Sequence, residues 1–377
     1  MSKKRSIFED VSNDTPKQNI PKGGLIDQGR GAARLGVSIW LMVLFAMVAL
    51  MIVVGGLTRL TDSGLSITEW ALVKGALPPM NDSAWAVMFE KYKNTPEYTL
   101  INTGMTLEEF KRIFWWEWGH RQLGRFVGLV WAVGFIFFAV TKRIPKGWAP
   151  RLLFIGFLGG LQGAVGWWMV SSGLTGRMID VASYRLAIHL GLAFIILCSI
   201  AWYIWLLRRK EAELLQSRRQ ADTVLSRLGK TLLVLAFAQV LLGALVAGID
   251  AGRGYIDWPM MNGEFLPSES FDYTPFWTNF FENPALVQFN HRMLGYIVFI
   301  VSVLVWFKSR ASALRSVKQA FDWVLVAIFG QIVLGIGTVL YAAPWHIAIV
   351  HQIGAIFVLI LMLKACFVSI YPKAQSL

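Results

Sequence analysis

Eight apolar runs constrain this chain more than any other feature of it. They occupy residues 39–57, 126–140, 152–170, 186–207, 232–249, 293–307, 323–343 and 347–370. A helix needs about 20 apolar residues to cross the hydrocarbon core of a bilayer, and in lipid a helix satisfies all of its own backbone polar groups. The expected fold is therefore an all-α integral membrane protein with eight transmembrane helices. At 55% hydrophobic and 16% charged residues, the chain does not have the composition of a soluble globule. The second and sixth runs are short, so their helices are expected to begin earlier in the chain. Cys198 and Cys366 both lie inside apolar runs, which suits neither a disulfide framework nor a zinc site.

The net charge of +13 would suit nucleic acid if it were clustered, but it is sorted by loop. Lys142, Arg143, Lys146 and Arg151 separate the second and third runs; Lys308, Arg310, Arg315 and Lys318 separate the sixth and seventh. Between the fourth and fifth stand Arg208, Arg209, Lys210, Arg218, Arg219, Arg227 and Lys230. The positive-inside rule makes these three segments cytoplasmic, and both termini with them. The opposite segments are acidic or balanced, and residues 250–282 carry Asp250, Asp257, Glu264, Glu269, Asp272 and Glu282 against Arg253 alone. The long external segments, 59–117 and 250–290, are rich in Trp, Phe, Tyr and Pro and are expected to form lids. Residues 1–37 read as a cytoplasmic tail, 38–207 as a first four-helix repeat, 208–230 as a cytoplasmic linker and 231–371 as a second repeat.

The repeat rests on particular residues. His120-Arg121-Gln122-Leu123-Gly124 returns as His291-Arg292-Met293-Leu294-Gly295, and His189 and His351 follow the two copies at similar distance. Gly55-Gly56-Leu57 with Asp62-Ser63-Gly64 matches Gly243-Ala244-Leu245 with Asp250-Ala251-Gly252, and Gln162 corresponds to Gln331. Because each half begins on the same side, the copies are expected to be parallel repeats. All four histidines then fall at the external ends of even-numbered spans. A lone histidine in a span is usually a hydrogen-bonded packing residue, but four in register point to ligation. Paired imidazoles on facing helices, among glycines and aromatics, suit the two axial positions of a haem iron. Arg121 and Arg292, with Arg125 and Arg59, are candidates for holding haem propionates, the alternative for each being an interfacial anchor. His346 has no counterpart in the first half and reads as a surface or supporting residue.

One position separates the halves. Glu117 stands three residues before His120, where Gln288 stands three before His291. Residues three apart share a helix face, so a carboxylate lies one turn from the first histidine and a neutral amide one turn from the second. A headgroup-level surface charge would explain Glu117 without chemistry. The neighbouring tryptophans favour chemistry in the first half, leaving the second as a resident cofactor site.

The stretch from Gly55 through Thr58-Arg59-Leu60-Thr61-Asp62-Ser63-Gly64-Leu65-Ser66 to Ile67, with Glu117-Trp118-Gly119-His120-Arg121, His189, Asn290-His291-Arg292 and His351-Gln352, closely resembles the haem A synthase family. The likeness runs over nearly all the chain from about Arg34, and follows the mitochondrial and Gram-negative branch. The cysteine pair of the Gram-positive branch is missing from the first external loop, so no thiol chemistry carries over. The resemblance implies oxidation of a methyl substituent of haem O to the formyl group of haem A, for terminal oxidase assembly in a bacterial inner membrane. It also implies that Glu117 is catalytic, that His120 and His189 hold haem O, and that His291 and His351 ligate the iron of a resident haem b. Candidate partners are haem O synthase, oxidase assembly factors, an electron-transfer partner, a second copy of the chain and the lipid bilayer, with no nucleic acid. The competing class is a b-type cytochrome that only transfers electrons.

Overall fold

A computed structural model describes residues 25–176 and 178–373. The expected tail at 1–37 lies outside the described residues up to residue 24; the first helix already begins at Leu25. Eight helices among the described residues are long and apolar enough to cross a membrane: α1 (Leu25–Leu60), α2 (Leu107–Val140), α3 (Ala149–Val170), α4 (Ser183–Leu207), α5 (Thr223–Gly248), α6 (Pro284–Ser309), α7 (Arg315–Leu340) and α8 (Trp345–Ile370). The chain is a multi-pass helical membrane protein.

Local chemistry sets the helix starts. Thr106 and Glu109 form a reciprocal capping box ahead of α2. Asn283 caps α6 through the amides of Ala285 and Leu286, with Pro284 in the first turn, where its missing N–H costs nothing. Both helices thus start well before their apolar runs, which places His120 and His291 inside them. At the ends of α1 and α5, Asp62 and Asp250 adopt matching left-handed conformations (φ 48° and 50°), so the two halves leave the bundle through the same turn.

In the first half α1 packs on α2 and α4, and α3 completes the ring between α2 and α4; in the second, α5, α6, α7 and α8 repeat that pattern. The halves meet through α4 with α5, α1 with α8, and α4 with α8. Accordingly α4 and α8 are the most buried spans and α2, α3 and α7 the least. Leu129, Val133, Ile136, Phe157, Val326, Phe329 and Val333 point outward, an apolar surface suited to lipid. Tryptophans lock adjacent helices: Trp40 Nε1 donates to Val130 O at 3.0 Å, and Trp131 Nε1 to Leu152 O at 3.1 Å.

Two lids cover the end at which the histidines stand. The first holds helices at Asp82–Lys93 and Pro96–Leu100, packed on the start of α2 around Trp85, Phe89, Tyr92, Phe110 and Phe114. The second, between α5 and α6, has only short 3-10 turns and one four-residue helix, pinned by Asn279, Asn283 and a Tyr255–Glu269 hydrogen bond. The expected linker at 208–230 contains a helix at Glu211–Arg219, and α5 starts inside it.

Candidate functional site: four histidines in two pairs

Each of the four histidines lies on one helix and abuts a glycine on the helix before it in its half. A Cβ on Gly55 of α1 would stand 2.8 Å from His120 Cε1, and one on Gly166 of α3 would stand 2.8 Å from His189 Cε1. In the second half the matching pairs are Gly243 with His291 and Gly335 with His351, both at 3.1 Å. Any side chain at these four positions would displace an imidazole. Glycine here sets where the ring sits, rather than only letting helices approach.

The rings of His291 and His351 have centroids 6.5 Å apart and planes inclined at 80°. Two imidazoles sharing one metal ion, each nitrogen about 2 Å from it, have centroids about 6 Å apart. That separation, on two facing helices, fits an iron with two axial histidines. His120 and His189 stand at the equivalent places of the first half, each against its glycine. Among the described residues no three His, Cys, Asp or Glu side chains converge as a metal cluster would require. His346, in the first turn of α8, is exposed and rests against Trp345.

Above the first pair, Glu117 is buried and accepts four hydrogen bonds. Ser66 Oγ and the Ile67 amide donate to Oε2, each at 2.7 Å, while Arg121 donates to Oε1 through Nε at 3.0 Å and Nη2 at 2.6 Å. A carboxylate offers about four lone-pair sites, so every one is taken. Gln288 occupies the matching place with inverted polarity. Its Nε2 donates to Ala251 O at 2.9 Å and Tyr255 O at 3.2 Å, and its Oε1 accepts from Arg292 at 2.9 Å. The residue type therefore follows what the neighbouring loop presents, donors in the first half and acceptors in the second.

The four arginines considered for propionates are directed mainly to the chain itself. Arg121 reaches Ile67 O and Glu69 O, Arg125 reaches Ala71 O and Leu72 O, and Arg292 reaches Tyr255 O, Asp257 O and Met260 O. Arg59 pairs with Asp62 at 2.9 Å, Asp250 at 3.0 Å and Asp180 at 3.5 Å, which ties the two halves together across the histidine end. Among the described residues, the buried Nε donors of Arg59 and Arg292 have no hydrogen-bond partner.

Two features escaped the sequence reading. Glu97 is buried in the first lid with one carboxyl oxygen unpartnered. Burial, reinforced by the negative field of Asp180, pushes its carboxyl up to about 8 against the opposing hydrogen bond from Tyr92. Nothing in its local sequence marks it as interior. The other is Gln239, which shares with the already paired Gln162 and Gln331 a Gln-x-x-x-Gly spacing that was its signal.

A bundle of eight spans with a pair of histidines in each half defines a multi-pass helical membrane protein with a repeated histidine arrangement. A cytochrome oxidase assembly protein family model matches residues 38–363, and the chain belongs to that family. Similar proteins include the heme A synthases of Dinoroseobacter shibae, 60% identical over 100% of this chain and 99% of the relative, and of Cereibacter sphaeroides, 56% identical over 100% and 98%. The heme A synthase of Paracoccus denitrificans is 54% identical over 99% of this chain and 98% of its own length.

Proposed function

We propose that this protein is a haem A synthase that oxidises a methyl substituent of haem O to a formyl group, with His120 and His189 placing the substrate and His291 and His351 holding a resident haem b. The observation carrying the proposal is the pair of imidazoles on facing helices at a spacing that fits one axially ligated iron, repeated in sequence in the other half. The high identity of full-length heme A synthases supports it. A low-spin haem b, when bound, supplies one-electron transfer.

The protein's own residues do the rest. The glycines set each imidazole ring against the facing helix. Glu117, held by four donors, is a fixed negative group one turn from His120, and its role is to stabilise positive charge developing near the substrate rather than to move freely as a base. The unpartnered Nε groups of Arg59 and Arg292 take propionates. The lids keep bulk water from the histidine end, which strengthens these electrostatic effects. The positive-inside rule applied to the basic loops supports a periplasmic position for that end.

The test is haem extraction and chromatography of membranes from cells with and without the gene. Loss of haem A with accumulation of haem O on deletion is the expected result. An unchanged ratio would rule out the synthase reading and leave electron transfer or haem carriage as the function.

A further inference from the structure

Behind three of the four histidines stands a glutamine, one helical turn before the glycine that receives the ring. Gln162 precedes Gly166, Gln239 precedes Gly243 and Gln331 precedes Gly335. Each makes the same contact. Its Nε2 donates to the backbone carbonyl of the histidine, at 3.0 Å for His189, 2.9 Å for His291 and 2.8 Å for His351. The same nitrogen stands 3.2, 3.1 and 3.2 Å from the ring Nδ1. The amide thus ties two helices together and wedges the imidazole at a fixed angle. Each Oε1 is buried without a partner among the described residues, the same state at three equivalent places.

The fourth position is Met51, one turn before Gly55. Its side chain occupies the same place as Gln239. A Cβ on Gly124, four residues after His120, would lie 3.4 Å from Met51 Cε, and one on Gly295, four after His291, would lie 3.3 Å from Gln239 Nε2. A thioether supplies no donor and is flexible and readily deformed. His120 accordingly has a buried Nδ1 with no hydrogen-bond partner among the described residues.

We infer that Gln162, Gln239 and Gln331 are positioning residues that lock three imidazoles in orientation, and that Met51 leaves His120 as the one histidine able to turn, so that haem O enters and product leaves by breaking the bond to His120. This rests on the assignment of the first pair to substrate and the second to the resident cofactor. It accounts for both pairs together: a permanent group gains from two clamped ligands, while an exchanging group needs one ligand held for registration and one that yields.

The experiment uses purified full-length protein carrying its resident haem and haem O. Transfer of the first-site haem to excess apomyoglobin is timed, and carbon monoxide binding to the reduced resident haem is read optically. Met51→Gln should slow transfer roughly fivefold, the worth of one net buried hydrogen bond. Gln162→Met should speed it by a similar factor, leaving the resident spectrum unchanged. Met51→Leu, which adds no amide, separates hydrogen bonding from packing and should release haem as the wild type does. Gln239→Met and Gln331→Met should open the resident haem to carbon monoxide, which a six-coordinate iron excludes. Wild-type transfer by Met51→Gln, or a resident haem still closed to carbon monoxide in both second-half variants, would overturn the inference. His291→Ala separates the two levels. If that variant keeps the resident spectrum, the assignment of halves has failed, and the clamp is judged at whichever pair proves to hold the resident haem.

Discussion

The two halves share a contact pattern, a histidine-to-glycine fit and a matching exit turn, yet they differ at each layer above the histidines. Around the first pair the packing is tighter, one glutamine is replaced by Met51, and the lid presents an O–H and an N–H to a carboxylate. Around the second pair both histidines are clamped, and the lid presents carbonyls to an amide. The scaffold is the same in both halves where it positions the histidines and differs in the residues around them. It follows that the Glu117/Gln288 difference is both structural and electrostatic, and that it cannot be probed by charge alone.

Exchanging those two residues should have the largest effect. Glu117→Gln turns an NH2 toward either the Ile67 amide or Arg121, leaving buried donors opposed, at about 1–3 kcal/mol. Gln288→Glu sets a buried carboxylate against Ala251 O and Tyr255 O with only Arg292 to offset it, and should cost as much or more. Both variants should lose conversion, with faster hydrogen exchange confined to residues 61–80 in the first and 250–264 in the second. Full haem A production by Glu117→Gln would remove the electrostatic role assigned to that carboxylate.

The glycines sharpen the comparison next. Gly55→Ala and Gly166→Ala place a Cβ 2.8 Å from an imidazole carbon, closer than packed atoms tolerate, whereas Gly243→Ala and Gly335→Ala meet theirs at 3.1 Å, where a small shift suffices. The first two should weaken haem placement in their half severely and lower the melting temperature. The second two should broaden or shift the resident spectrum while retaining it. Equal damage in both halves would show that the tighter fit of the first has no consequence.

The smallest effect concerns the first lid and pH. The folded-state carboxyl of Glu97 is raised from an ordinary 4.5 to about 8, so the native state binds the extra proton. Stability from this group is complete below the unfolded value and is lost as pH rises toward and through about 8. Glu97→Gln, neutral throughout, should flatten that decline and protect the lid at alkaline pH. Hydrogen exchange of residues 82–114 between pH 5 and 9 reads it directly, and an unchanged slope would place Glu97 in contact with water.

Spans and histidines were legible in the chain because the features that define them are side-chain patterns. The short apolar runs at 126–140 and 293–307 implied the early starts seen at Leu107 and Pro284. The partners of the arginines were not legible, since Arg121, Arg125 and Arg292 meet backbone carbonyls, which every residue carries alike. Aligning half with half paired Gln162 with Gln331 but concealed Gln239 and Met51, whose meaning emerges only when each two-helix unit is laid on the next. Glu97 was hidden for a third reason: its burial follows from an aromatic cluster assembled from separated segments.

The assignment of a substrate half and a resident half is tested most directly by the optical spectrum of purified variants of the four histidines. The account predicts that His291→Ala and His351→Ala lose most of the b-type absorbance and, with a cofactor that binds only the folded state, part of their thermal stability. His120→Ala and His189→Ala should keep that spectrum while haem O accumulates in the membranes. Loss of the resident haem from all four, or from the first pair alone, would contradict it.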